Sequence, residues 1–145
     1  MAAANDTLSP QSNPLLSNRK TPYEMPPFEA IKPEHFVPAF TEALKGHLGE
    51  IDAITGNPAT PTFDNTIVAM ERGGKALDKV SSVFFGLSGA HTNDALQAIE
   101  REMSPKLAAH GNAIRLNDAL YRRIDALWQQ RDKLGLTPEQ ARVLE

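Results

Sequence analysis

PTFDNTIVAMERGGKALDKVSSVFFGLSGAH, residues 61–91, has the longest regular apolar spacing in the chain. Apolar or small residues return every three or four positions, which is typical of one face of an α-helix. The members of this seam are Phe63, Ile67, Met70, Gly74, Leu77, Ser81, Phe84, Ser88 and His91. The spacing predicts one long helix of about 27 residues, capped by Thr62 or Asp64. Gly73 and Gly74 each cost about 1 kcal/mol relative to alanine, which indicates a close backbone crossing or a local kink.

The segment before this helix predicts a turn and a second helix. Pro33 and Pro38 exclude one continuous helix, because the residue before a proline is pushed away from helical geometry. A turn at 33–36 and a helix with Pro38 at its first position satisfy both prolines. The apolar stripe of this helix is Phe40, Leu44, Leu48, Ile51 and Ile54.

The segment after residue 91 carries three further helix starts. Thr92 or Asn93 caps a helix whose stripe stays in phase through Pro105. Asn117 caps the next helix, and Gly135 is placed at its C-terminal end. Thr137, Pro138 and Gln140 form a capping box that opens a fifth helix. That helix reaches only about two turns by Glu145, so we expect the natural continuation to be missing.

The organisation predicted is an extended arm over residues 1–27 and a helical segment over 28–145. The arm is rich in proline and has no helical or strand period. Its Leu15–Leu16 pair, together with Tyr23, Met25 and Phe28, is expected to lie buried along a surface. No segment shows strand periodicity, so the fold class is all-α, with antiparallel helices.

Composition excludes several classes of protein. The chain has 145 residues, a net charge of −3 and no cysteine. It therefore has no basic field for nucleic acid and no thiol chemistry. No apolar run reaches the length of a membrane span. The start is not an intact signal peptide, so we expect a cytoplasmic location, or a periplasmic one if a leader has been removed.

The residues give almost no signal for catalysis, and we predict no catalytic, cofactor-binding or metal-binding residue in this chain. His47 with Glu50 is interpreted as a solvated pair. His110 has no histidine or carboxylate one turn away on its helix. His91 is interpreted as a residue at a helix end. The GGK at 73–75 lacks the other residues of a phosphate-binding loop.

An interaction role has better support from the residues. Phe84 and Phe85 point about 100° apart on a helix, so both can be buried only with partners on two sides. The chain's own helices can supply both partners, or another protein surface can supply one.

Four blocks of the sequence together resemble a known family. They are FEAIKPEHFVPAF (28–40), PTFDNTIVAMER (61–72), SSVFFGLSGAHTNDALQ (81–97) and IDALWQQRDKLGLTPEQARVLE (124–145). They resemble the N-terminal region of the thimet oligopeptidase-like zinc metallopeptidases, and of the bacterial peptidyl-dipeptidases within that family.

The resemblance implies a much longer, mostly helical enzyme that releases C-terminal dipeptides from oligopeptides. Its zinc would be held by an H-E-x-x-H helix that this chain lacks, so we expect no zinc in this segment. The segment would wall and gate the substrate channel, and would be inactive alone. Its partners would be the catalytic C-terminal portion and the oligopeptide substrate, with no nucleic acid and no membrane. The alternative is a free-standing helical protein-interaction module with no catalytic activity.

Overall fold

The structure is a computed structural model that describes residues 12–17 and 25–145. All regular secondary structure in these residues is helical, which confirms the all-α prediction. No helix in this part of the chain is long and apolar enough to cross a membrane. The α-helices are α1 (Phe36–Thr55), α2 (Ala69–Arg72), α3 (Lys75–Ala90), α4 (Asp94–Arg115), α5 (Asp118–Gln129) and α6 (Pro138–Leu144). Short 3₁₀ turns occur at Phe28–Ala30, Pro33–His35 and Arg131–Lys133, and a π-helical turn at Asp64–Val68 precedes α2.

Helix α1 is the centre of the fold, because α3, α4 and α5 all pack against it. The main core lies where α1 meets α3 and α4. There the Phe84 ring is fully buried and makes edge-on contacts with Phe36 and Phe40, at centroid distances of 5.0 and 5.5 Å. Edge-on packing is favourable because the positive edge of one ring meets the negative face of the next.

Two smaller apolar clusters continue the core towards the C-terminal helices. One joins Ile51 and Ile54 of α1 to Leu120 of α5. The other joins Ile67 of the π-helical turn to Leu127 of α5 and Leu144 of α6. Together with the main core, these clusters place every α-helix around buried apolar side chains, the short α2 through its partly buried Ala69 and Met70.

Part of the arm packs into the main core. Leu15 is 1% exposed and lies in the cluster with Phe36 and Phe84. Asn13 is also buried, and its Nδ2 donates to the carbonyl of His35 at 2.8 Å. The predicted burial is therefore confirmed for Leu15 and, in part, for Leu16.

The same prediction fails for the end of the arm. Met25 is 54% exposed and Phe28 is 48% exposed. Phe28 instead begins a 3₁₀ turn that contains no buried residue. Tyr23, the remaining side chain of that prediction, lies outside the described residues.

The predicted caps are confirmed at four helix starts. Asn93 Oδ1 and Asn117 Oδ1 each accept a backbone N–H three residues later at 2.9 Å. Thr137 and Gln140 exchange the two bonds of a capping box. Thr62 exchanges the equivalent bonds with Asn65 ahead of the π-helical turn.

Three boundaries differ from the prediction. Helix α1 begins at Phe36, so Pro38 lies inside its first turn, where it leaves no helical hydrogen bond unmade. Helix α5 ends at Gln129, and Gly135 (φ +61°) follows the 3₁₀ turn instead of closing α5 directly. The long helix over 62–91 is wrong as a single element, since the chain breaks at Gly73–Gly74.

Candidate functional site

The break before α3 is built on Gly74, which has left-handed backbone geometry (φ +72°). Glycine adopts this geometry without strain because it has no Cβ. The site is also crowded, since a Cβ added to Gly74 would lie 3.0 Å from Cε1 of His47. Both the backbone angle and the approach of His47 therefore require glycine here.

The N-terminus of α3 receives its cap from another helix. Gly74 has no side chain, and its N–H donates instead to Oε2 of Glu50 in α1 at 2.7 Å. A carboxylate at this end of a helix is favourable, because the first backbone N–H groups carry partial positive charge. Glu50 thus fixes the start of α3 against α1.

His47 of α1 faces His110 of α4 across the same junction. His47 Nδ1 and His110 Nε2 are 2.9 Å apart, and the ring centroids are 4.9 Å apart with a tilt of 49°. His110 is buried at 8% exposure, and its Nδ1 has no hydrogen-bond partner in the described residues. The two imidazoles form a direct hydrogen bond, in which one nitrogen donates and the other accepts.

These contacts correct the interpretation of His47 and Glu50 as a solvated pair. Each side chain bonds to a different element, His47 to α4 and Glu50 to the start of α3. The sequence did contain a signal for the contact between His47 and His110, since both lie in the apolar stripes of their helices. His47 lies in the stripe that holds Phe40 and Ile51, and His110 lies in the stripe of Met103 and Ile114. Two packed stripes bring their polar members together.

A cleft of about 200 Å³ opens beside this cluster. Its lining includes Leu16 of the arm, Glu42, His47 and Glu50 of α1, and Gly74. Imidazoles and carboxylates can exchange protons and can ligate metals. However, no group of three or more histidine, cysteine or acidic residues within 12–17 and 25–145 is arranged to hold a metal ion. The residues described therefore do not fit the zinc that the family resemblance implies.

The remaining histidines have structural positions. His35 is buried, and its Nδ1 accepts the N–H of Lys32 at 3.0 Å, which closes a 3₁₀ turn. His91 is exposed and is the C-cap residue of α3, which confirms its predicted place at a helix end.

Arg123 of α5 is a buried residue that the sequence reasoning missed. Its guanidinium donates to the carbonyl of Asn57 at 2.9 Å and to Oδ1 of Asn65 at 3.0 Å, with a longer bond of 3.4 Å to the carbonyl of Ala59. It thus ties the connection after α1 to α5. The only signal was its place beside Leu120, Ile124 and Leu127 in the α5 stripe.

Comparison with known proteins supplies the class of the chain. No family model matches it. It is 47% identical over 134 residues to a dipeptidyl carboxypeptidase of Salmonella typhimurium, and the match covers 92% of this chain and 20% of that protein. The oligopeptidase A of the same organism is 27% identical over 110 residues, which cover 76% of this chain and 16% of the relative. The chain is thus homologous to part of two kinds of bacterial peptidase.

The stronger likeness is to the dipeptidyl carboxypeptidases. The Escherichia coli protein of that name is 45% identical over 133 residues, again covering 92% of this chain and 20% of the relative. The chain is therefore homologous to the N-terminal part of a dipeptidyl carboxypeptidase, as its four sequence blocks predict. It spans about a fifth of the length of these relatives.

Proposed function

We propose that this chain acts as the N-terminal helical segment of a zinc-dependent peptidyl-dipeptidase. In that role it docks on a catalytic portion and walls the channel that admits oligopeptides, which lose C-terminal dipeptides. The observation that carries the proposal is the identity of 45–47% over 92% of the chain to dipeptidyl carboxypeptidases. The gating role and the zinc dependence come from the family resemblance of the sequence blocks.

The distribution of exposed apolar side chains supports docking. Leu116 is 79% exposed and Tyr121 is 66% exposed, and both lie at the corner between α4 and α5. Large apolar side chains at this level of exposure are typical of surfaces that meet another protein part. The other large apolar residues exposed in the described chain are Met25, Phe28, Leu48, Phe85 and Val143.

A chimera tests the proposal. The matched N-terminal region of the Escherichia coli dipeptidyl carboxypeptidase is replaced by this chain, and dipeptide release from an N-terminally blocked oligopeptide is measured with and without a chelator. The chimera is expected to release dipeptides in a chelator-sensitive way, while the 145-residue chain alone releases none. Chelator-sensitive release by the chain alone would contradict the proposed role.

Matched variants test the docking surface. Leu116→Ser with Tyr121→Ser is expected to lower the activity of the chimera about tenfold or more, since each apolar side chain buried in a docked surface contributes about 1.5–3 kcal/mol. Arg122→Ser is the control, because Arg122 is a neighbouring exposed residue with no apolar side chain to bury. Equal activity of both variants would show that the α4–α5 corner is not part of the docking surface. An inactive chimera, with a cooperatively folding isolated chain, would favour the interaction-module alternative.

A further inference from the structure

The contact between His47 and His110 depends on the number of protons that the two imidazoles carry. Their facing nitrogens are 2.9 Å apart, so one must donate and the other must accept. When both imidazoles are protonated, every ring nitrogen carries a hydrogen. Two N–H groups then face each other, the hydrogen bond is lost, and two positive charges repel across the α1–α4 contact.

The second nitrogen of His110 determines what a further proton on this ring would cost. His110 Nδ1 is buried and has no partner in the described residues. If Nε2 carries the proton and donates to His47, this buried Nδ1 is a bare acceptor. Protonation of His110 would add an N–H at Nδ1 with nothing to accept it, which costs the desolvation of that donor.

The surrounding charges do not offset a positive His110. The Glu50 carboxylate on α1 is already bonded to the N–H of Gly74 at the positive end of α3. On α4, Lys106 lies one turn before His110 and pairs with Glu102 at 2.8 Å. Charged side chains on the helices of this part of the fold are exposed, where solvent screens them: Glu42 on α1, Glu71 and Arg72 on α2, Lys75 on α3, Arg115 on α4 and Asp118 on α5. In agreement, burial and then the charge of His47 hold the pKa of His110 below the ordinary value of a histidine.

We propose that the His47–His110 pair is an acid-sensitive latch, which holds the second half of α4 against α1 when His110 is neutral and weakens when His110 takes up a proton. The latch is independent of the proposed peptidase role, because it needs only the packing of α4 on α1 within this chain.

The direction of the pH effect follows from the lowered pKa of His110. The unfolded chain takes up a proton at this residue near pH 6.5, before the folded chain does. The contribution of His110 to stability is therefore complete above about pH 6.5 and is lost as the pH falls through the folded pKa. One such group changes the unfolding equilibrium constant by at most about tenfold per pH unit.

Denaturant unfolding between neutral and mildly acidic pH tests the latch in the 145-residue chain. His110→Gln is the test variant, because its amide can donate to His47 but does not titrate. The unfolding constant of the unsubstituted chain is expected to rise more steeply on acidification than that of His110→Gln, by up to about tenfold per pH unit. His91→Gln is the control, and it should keep the steep dependence because His91 is exposed at the end of α3. The same pH dependence in the unsubstituted chain and in His110→Gln would overturn the proposal.

An NMR titration decides the question even if His110→Gln fails to fold. In the unsubstituted chain, His110 should titrate at a lower pH in the folded state than in the denaturant-unfolded state, and His47→Gln should move the His110 midpoint upward. At one acidic pH, amides of residues 106–115 should also exchange faster in the unsubstituted chain than in a folded His110→Gln. A His110 midpoint that is the same in the folded and the unfolded chain, or one that His47→Gln leaves unchanged, would show that no latch exists.

Discussion

Phe84 is buried and the adjacent Phe85 is half-exposed, so truncating each one compares the stability that a phenylalanine contributes in the core and at the surface. Phe84 is 0% exposed and Phe85 is 46% exposed. Phe84→Ala removes a ring that contacts Phe36 and Phe40 at 5.0 and 5.5 Å. Phe85→Ala deletes the same atoms from a half-exposed position on the same helix, which makes it the matched control.

The expected cost of Phe84→Ala is about 3–5 kcal/mol, which is usual for a phenylalanine truncated in a packed core. Within that figure, each edge-on ring contact contributes about 0.5–1.5 kcal/mol beyond the burial of area. Since a whole domain is stable by only about 5–15 kcal/mol, Phe84→Ala should come close to unfolding the chain. Phe85→Ala should cost about 1 kcal/mol, mainly through its own edge-on contact with Phe84 at 5.2 Å.

The assay is guanidinium unfolding followed by far-UV circular dichroism, with the midpoint and the slope fitted for each variant. A large fall in midpoint for Phe84→Ala at unchanged slope reports lost stability and not a change in the denatured state. The reasoning is refuted if the two variants lose equal stability, because burial at Phe84 would then make no measurable difference.

Two further substitutions probe the contacts that local sequence rules do not reveal. Gly74→Ala should destabilise the chain by about 1–3 kcal/mol through left-handed backbone strain and contact with His47. Gly86→Ala is the control, because it lies in the open interior of α3 and should stabilise the chain by about 0.5–1 kcal/mol. Calorimetry that gives both changes in stability the same sign would contradict this difference. Arg123→Met should cost about 1–3 kcal/mol, because it removes the bonds that the buried Arg123 donates to the half-buried Asn57 carbonyl and Asn65 Oδ1. Hydrogen exchange around residues 57–65 should become faster, while the exposed Arg122→Met changes neither quantity. Normal exchange in Arg123→Met would count against its role in holding that connection.

Local rules predicted most helix ends because each depends on atoms a few residues apart. Asn93, Asn117 and Thr137 each cap a helix with a side chain that reaches a backbone N–H three residues on. The identity of a capping residue and its place before an apolar stripe are sufficient for such a prediction. The same local logic places His91 correctly at the end of α3.

The apolar stripes predicted burial less well, because the burial of a stripe residue depends on which helix packs against it. Leu48 fits the α1 stripe but is 37% exposed, whereas the small Ala39 and Ala43 are 0% and 2% exposed. Small residues let the helices that carry Phe84 and Met103 approach α1 closely, and that preference depends on partners distant in sequence. Periodicity therefore identified the helix, but the buried face that it predicted was shifted towards the larger side chains.

The break at Gly74 explains why the candidate site was the least predictable part of the chain. The apolar seam stays in phase on both sides of the break, so periodicity alone indicates one helix, and only the cost of two adjacent glycines pointed to position 74. The new helix start is then capped by Glu50, which lies 24 residues earlier in the chain. His47, one turn before Glu50, can approach that start because glycine has no Cβ, and on its other side it bonds to His110, 63 residues away. Each of these contacts joins residues on different helices, so none leaves a local motif. The polar cluster that joins α1, α3 and α4 becomes visible only when the helices are packed.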